Sequence, residues 1–233
     1  MFGMSFRDLL IRIFALTLSL SFHEFAHAWT AYRLGDATAA ERGRLSLNPM
    51  AHLDPLGTMA ILLAGIGWAK PVPVNPARFD RKYSVQKGMF LTAVAGPIAN
   101  LILATISMFI MQTWFFAARV IVLQGGNLVG GPFTAVFTDI LTALLNMNIA
   151  LAFFNLLPLP PLDGSRIFGA ILPKKLYFTI MQYERYIGMA FFLILIFGRG
   201  LIGTVIYYIS YPFRWLITIP LSTFFDWLLK FFY

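Results

Sequence analysis

The chain has no cysteine, so disulfides and thiolate metal sites are both excluded. Charge is scarce as well. Asp, Glu, Lys and Arg make up 12% of the 233 residues, against about a quarter in a soluble domain. Only three glutamates and three histidines are present. Repeats and low-complexity tracts are missing, and the longest polar stretch, about 35–54, is too short to fold alone. The opening "MFGMSFRDLLIRIF" has neither a basic head nor a small-residue cleavage site. It reads as the start of a first span and not as a removable signal.

Apolar surface fills the place of charge. The sequence is 59% hydrophobic and 16% aromatic, with mean hydropathy +0.75. These values predict one all-α polytopic membrane domain over residues 1–233. Apolar segments at about 9–33, 88–119, 133–157, 176–197 and 201–227 are each long enough to span. A sixth run, "LGTMAILLAGIGWA" (56–69), has 14 residues and three glycines, which suits a re-entrant segment better than a crossing. Five to six transmembrane helices are therefore expected. The following "KPVPVN" (70–75) favours an extended edge, and "AAERGRLSLNP" (39–49) alternates as a strand or hairpin does. The fold is thus expected to carry a short membrane-associated β-hairpin or re-entrant loop.

The net charge of +8 could suit nucleic acid, but in so apolar a chain it reads as loop charge that sets topology and meets lipid headgroups. If 56–69 does not cross, 12 of the 18 basic residues fall on one side of the membrane. The positive-inside rule then places the N-terminus outside and the C-terminus in the cytoplasm. The bilayer is the expected partner, and nucleic acid is not.

Two of the three histidines and one of the three glutamates lie within "HEFAH", in an otherwise membrane-grade segment. Uncompensated, they would cost several kcal/mol there. His23 and His27 are four residues apart and share a helical face, so both imidazoles can hold one Zn²⁺, while Glu24 can take a proton from water beside the ion. A histidine pair that merely bridges helices is the bland alternative, and it leaves that cost unexplained.

A hydrolytic zinc site needs a third protein ligand and an open position. "HEFAHAWTAYR" lacks the third histidine of soluble zincins. The remaining candidates are His52 and the other acids. Asp8, Asp36, Asp80 and Asp226 sit at span ends or in polar loops, where solvation accounts for them. Asp163 follows Pro158, Pro160 and Pro161, which unwind the preceding helix and free its carbonyls. A carboxylate on such a broken segment is a plausible ligand. Asn148 lies seven residues before Asn155, on the same helical face, and is a candidate for lining the cavity. Asn146 and Asp139 read as helix bridges, and Glu184 and Arg185, inside a span, as residues that pair with other groups or mark a substrate gate.

"HEFAH" followed by "NLLPLPPLDG" (Asn155 to Gly164), with every spacing intact, resembles the paired signature of the site-2 proteases, intramembrane zinc metalloproteases. "AGPIANL" (95–101) resembles the intervening core span of that family, and "LAGIG" with "WAKPVPVN" its G-x-G loop and edge strand. The resemblance implies one Zn²⁺ per chain, held by His23, His27 and Asp163, with Glu24 as catalytic base and Asn155 as donor to the substrate carbonyl or its oxyanion. It also implies a substrate path along Gly65, Gly67, Lys70, Val72 and Val74. The chain is similar to the short bacterial members that have no PDZ or CBS module. A multi-pass protease of the bacterial plasma membrane is expected, acting on transmembrane proteins or signal-peptide remnants. Two rivals differ in chemistry: a zinc-binding transporter or chaperone subunit without hydrolysis, and a zincin whose third ligand is Glu41 or Glu184.

Overall fold

The computed structural model describes residues 5–57, 59, 69–126 and 131–232. Three of its helices are long and apolar enough to cross a membrane. They are α1 (Phe6–Arg33), α3 (Val85–Leu123) and α4 (Pro132–Asn155), with a short α2 (Thr38–Glu41) after the first. Four further helices follow: α5 (Asp163–Gly169), α6 (Lys174–Gln182), α7 (Glu184–Phe197) and α8 (Arg199–Leu229). The Ser5 hydroxyl starts α1 by accepting the Asp8 N–H at 3.1 Å, which satisfies one donor the helix leaves open.

The spanning helices bury small and polar residues and turn large apolar ones outward. On α1 the buried row is Ile11, Ala15, Ser19, His23, His27 and Ala31, spaced by four, while Phe6, Leu10 and Phe14 are exposed. On α3 the buried Gly96, Asn100 and Ala104 lie opposite the exposed Ile98, Ile102 and Ile106. Lipid solvates the large side chains, so small residues are what let helices approach closely. Helix α3 is central and packs against α1, α4, α5 and α8.

The expected segment 176–197 is not one helix. It breaks at Tyr183, between α6 and α7, where the polar Gln182, Glu184 and Arg185 cluster. Helices α7 and α8 are sharply bent at Gly198, and the chain reaches up to four crossings only if that bent pair forms one span. Five crossings are therefore not what the helix lengths give among the described residues. The expected hairpin is reduced there to an isolated antiparallel bridge, Leu53 to Ala69. Pro71 and Pro73 have no N–H to extend a ladder. Residues 39–49 form no strand: they close α2 and continue as turn and bend.

Candidate metal centre

The two histidines of α1 point at the start of α5. His23 Nε2 and His27 Nε2 are 3.0 Å apart, and Asp163 Oδ2 lies 3.1 Å from the first and 3.2 Å from the second. No other group of three such side chains converges among the described residues.

Hydrogen bonds fix what these atoms present. His27 Nδ1 is 2.7 Å from the Thr92 carbonyl oxygen, and His23 Nδ1 is 2.6 Å from Asn100 Oδ1. Oxygens of this kind accept, so each Nδ1 carries its proton and each Nε2 turns a lone pair inward. Asp163 Oδ2 is buried and has no hydrogen-bond partner. Three lone pairs thus face one another with no proton between them, an arrangement that needs a cation. A tetrahedral ion with bonds of about 2.0 Å requires donors about 3.3 Å apart. The observed triangle fits zinc.

Glycines allow the helices to come this close. A Cβ at Gly96 on α3 would lie 2.4 Å from His27 Nε2 and 2.6 Å from His23 Cε1. One at Gly164 would lie 2.1 Å from the Leu157 carbonyl oxygen and 2.5 Å from that of Leu156. The start of α5 therefore rests on the unwound end of α4, and this contact carries Asp163 to the histidines.

A cavity of about 360 Å³ opens beside the triangle, lined among others by Glu24, Val72, Val74, Asn155 and Arg166. Glu24 is buried, and its Oε2 accepts the Val72 N–H at 3.0 Å. The extended segment 70–75 is pinned along its length. Lys70 N–H donates to the His52 carbonyl at 2.8 Å, Arg44 donates to the Lys70 carbonyl, and Asn75 N–H donates to Asp36 at 2.6 Å. Near that anchor, outside the spans, the hydrogen-bonded Arg78 guanidinium holds the Glu41 carboxyl below its ordinary range.

Asn155 lines the cavity and spends one amide hydrogen on the Leu151 carbonyl, 3.1 Å away, which leaves the other for a ligand. Asn148 does not line it: the side chain is fully buried, bonded to Asn100 and to the Leu144 carbonyl. Gly65 and Gly67 lie outside the described residues. His52 is buried away from the metal triangle, its Nε2 bonded to the Ser46 carbonyl. Glu184 pairs with Arg166 at 3.2 Å, Asp139 with Arg7, and Asn146 accepts from Arg214 at 2.7 Å. Sequence reasoning missed Asn100, Gly96 and Arg166. A lone amide inside an apolar span was the available signal for the first.

A family model described as "Peptidase family M50" matches residues 11–195. The Bacillus subtilis (strain 168) protein YwhC, named for a zinc metalloprotease, is 42% identical over 183 residues, 78% of each chain. Two proteins called Rip2, also named for zinc metalloproteases, are each 31% identical to this chain. The Mycolicibacterium smegmatis protein matches over 67% of this chain and 54% of its own length, and that of Mycobacterium tuberculosis over 63% and 51%. The chain therefore spans about half the length of those two. No solved structure matches it. Its paired motifs, its converging His, His and Asp donors and this match over most of its length agree: the chain belongs to peptidase family M50, the zinc metalloproteases of the site-2 type.

Proposed function

We propose that this protein is an intramembrane endopeptidase that hydrolyses peptide bonds in or near transmembrane segments, with His23, His27 and Asp163 holding the zinc and Glu24 as general base. The observation that carries the reading is the triangle of three inward lone pairs, with Glu24 on the same cavity, inside helices whose outer faces suit lipid. Bound zinc supplies polarisation of the scissile carbonyl and activation of water. Glu24 takes the proton of the attacking water and hands it to the leaving amine. The free amide hydrogen of Asn155 serves the carbonyl oxygen as negative charge develops on it.

A peptide bond within a helix is shielded, so the substrate must unwind and find new partners for its backbone. Val72 and Val74 present their N–H and C=O groups to one side of the extended segment, those of Lys70 on the same side being held by His52 and Arg44, whereas Pro71 and Pro73 give the other side no donor. A substrate strand therefore adds on the Val72 side, towards the base. There its carbonyl competes with Glu24 for the Val72 N–H, and winning that contest releases the carboxylate for chemistry. The substrates are transmembrane proteins or signal-peptide remnants of a bacterial plasma membrane, and the whole chain acts as one multi-pass domain. Reporters fused after Arg44 and after Lys82 should fall on the same side, and opposite sides would mean that residues 56–69 cross.

The decisive experiment is cleavage of a model transmembrane substrate in detergent. Glu24→Gln should retain zinc while turnover falls by about 10²–10⁴-fold. Undiminished turnover would remove the protease reading and leave a zinc-binding protein.

A further inference from the structure

The two histidines are oriented by different means. His27 Nδ1 donates to a backbone carbonyl, that of Thr92, which no substitution can delete. His23 Nδ1 donates to a side chain, Asn100 Oδ1, at 2.6 Å. Asn100 lies on α3, is fully buried and has no access to the cavity.

An amide can present either end, so something must hold Asn100 with its oxygen towards His23. Two contacts do. Asn100 Nδ2 is 3.1 Å from the Ser19 carbonyl oxygen, which accepts and never donates. The same nitrogen is 2.7 Å from Asn148 Oδ1, and Asn148 Nδ2 donates in turn to the Leu144 carbonyl at 2.8 Å. Backbone acceptors at Ser19 and Leu144 thus fix both amides. The result is a chain of donors running from His23 on α1 through Asn100 on α3 to Asn148 and Leu144 on α4. Reversing either amide would set nitrogen against a donor or oxygen against a carbonyl inside a fully buried core.

We propose that Asn100, oriented by Asn148, is a positioning residue for the zinc centre: it locks His23 in the tautomer whose Nε2 lone pair faces the ion. Neither asparagine touches substrate or metal. The inference rests on His23 being a ligand, and it extends the site by two residues, one on α3 and one on α4, beyond those that line the cavity. Without the Asn100 oxygen, the proton is free to sit on Nε2, where it blocks the lone pair. Loss of an outer hydrogen bond to a ligating histidine typically weakens metal affinity 10- to 100-fold.

The test uses the full chain in detergent and measures zinc affinity by competition with a chelator. Asn100→Leu should weaken binding about 10- to 100-fold. Asn148→Leu should weaken it by a smaller factor, because Asn100 keeps the Ser19 contact. Asn100→Asp, which restores an acceptor, should bind more tightly than Asn100→Leu. Asn146→Leu, on α4 but in contact with Arg214, should leave affinity unchanged. Proton NMR of the zinc-loaded protein adds a readout that packing alone would not move. Wild type should show two downfield imidazole N–H signals, one from each histidine. The His23 signal should be lost in Asn100→Leu and kept in Asn100→Asp.

Wild-type affinity in Asn100→Leu, or persistence of both signals there, would overturn the proposal. If Asn100→Leu fails to fold, Asn148→Leu decides: wild-type affinity with an unshifted His23 signal overturns the relay. Should His23→Ala bind zinc normally while Asn100→Leu still shifts the His23 signal, it is the ligand assignment that fails.

Discussion

The helices that carry the metal triangle and the helices that close the C-terminal half are buried by different chemistry. In the first group polar side chains run through an otherwise apolar interior: Ser19, Ser21, His23, His27, Thr92, Asn100, Ser107 and Asn148 are all buried. In the second the buried groups are mostly large and apolar, such as Phe191, Ile217, Phe225 and Leu229. Helix α8 meets α3 through rings, with Phe225 5.8 Å from Phe109 and 5.6 Å from Phe116. Hydrogen bonds have direction and aromatic contacts adapt. The first group therefore holds one geometry, and the second supplies cover that tolerates change.

The sharpest way to break this contrast is to add one carbon on the polar side. Gly96→Ala drives a Cβ into both imidazoles, and Gly164→Ala drives one into the carbonyls beneath Asp163. A misplacement of about 1 Å can cost on the order of 100-fold in rate. Each variant should lose activity on that scale, with zinc content falling in parallel. Full zinc in Gly96→Ala would show that the helices separate more easily than their packing implies.

The matching change on the apolar side should do much less to the chemistry. Phe225→Ala removes its two ring contacts with α3, worth about 0.5–1.5 kcal/mol each. Thermal stability should fall while zinc content and turnover per folded molecule stay near wild type. A loss of zinc in this variant would mean that α8 helps to hold the centre.

The smallest effect is expected outside the membrane. Arg78 keeps Glu41 ionised below the ordinary carboxylate range. The stabilisation is present above the pKa of the unfolded carboxylate and is lost as pH falls through the lowered folded value. The pair is exposed, so its worth is slight. Arg78→Gln should lower the melting temperature a little near neutral pH, and the difference from wild type should vanish in acid. A constant difference at every pH would assign the loss to packing.

The same contrast explains what could be read from sequence. Helices α1, α3 and α4 match their expected segments within a few residues, because a long apolar run is a local signal. The spacing of His23 and His27 is local too, and Asp163 was marked by the prolines before it. The C-terminal break was not legible. Hydropathy averages over Glu184 and cannot foresee that it pairs with Arg166 across a chain reversal. The role of Asn100 was equally hidden, since an amide in a span carries no sign of which partner it will meet. Asn148 shares a face with Asn155, as expected, but the two sit at different depths: one closes the core and the other lines the cavity.

The metal triangle also orders events in time. His23 and His27 enter the membrane with the first helix, whereas Asp163 is translated only after α3 and α4. A nascent chain that has inserted its first helix carries two of the proposed ligands and the proposed base but lacks the residue that completes the donor set. It cannot assemble the proposed centre until α3 and α4 have emerged. The donor set thus closes only when α5 settles on the end of α4, with α6, α7 and α8 still to come.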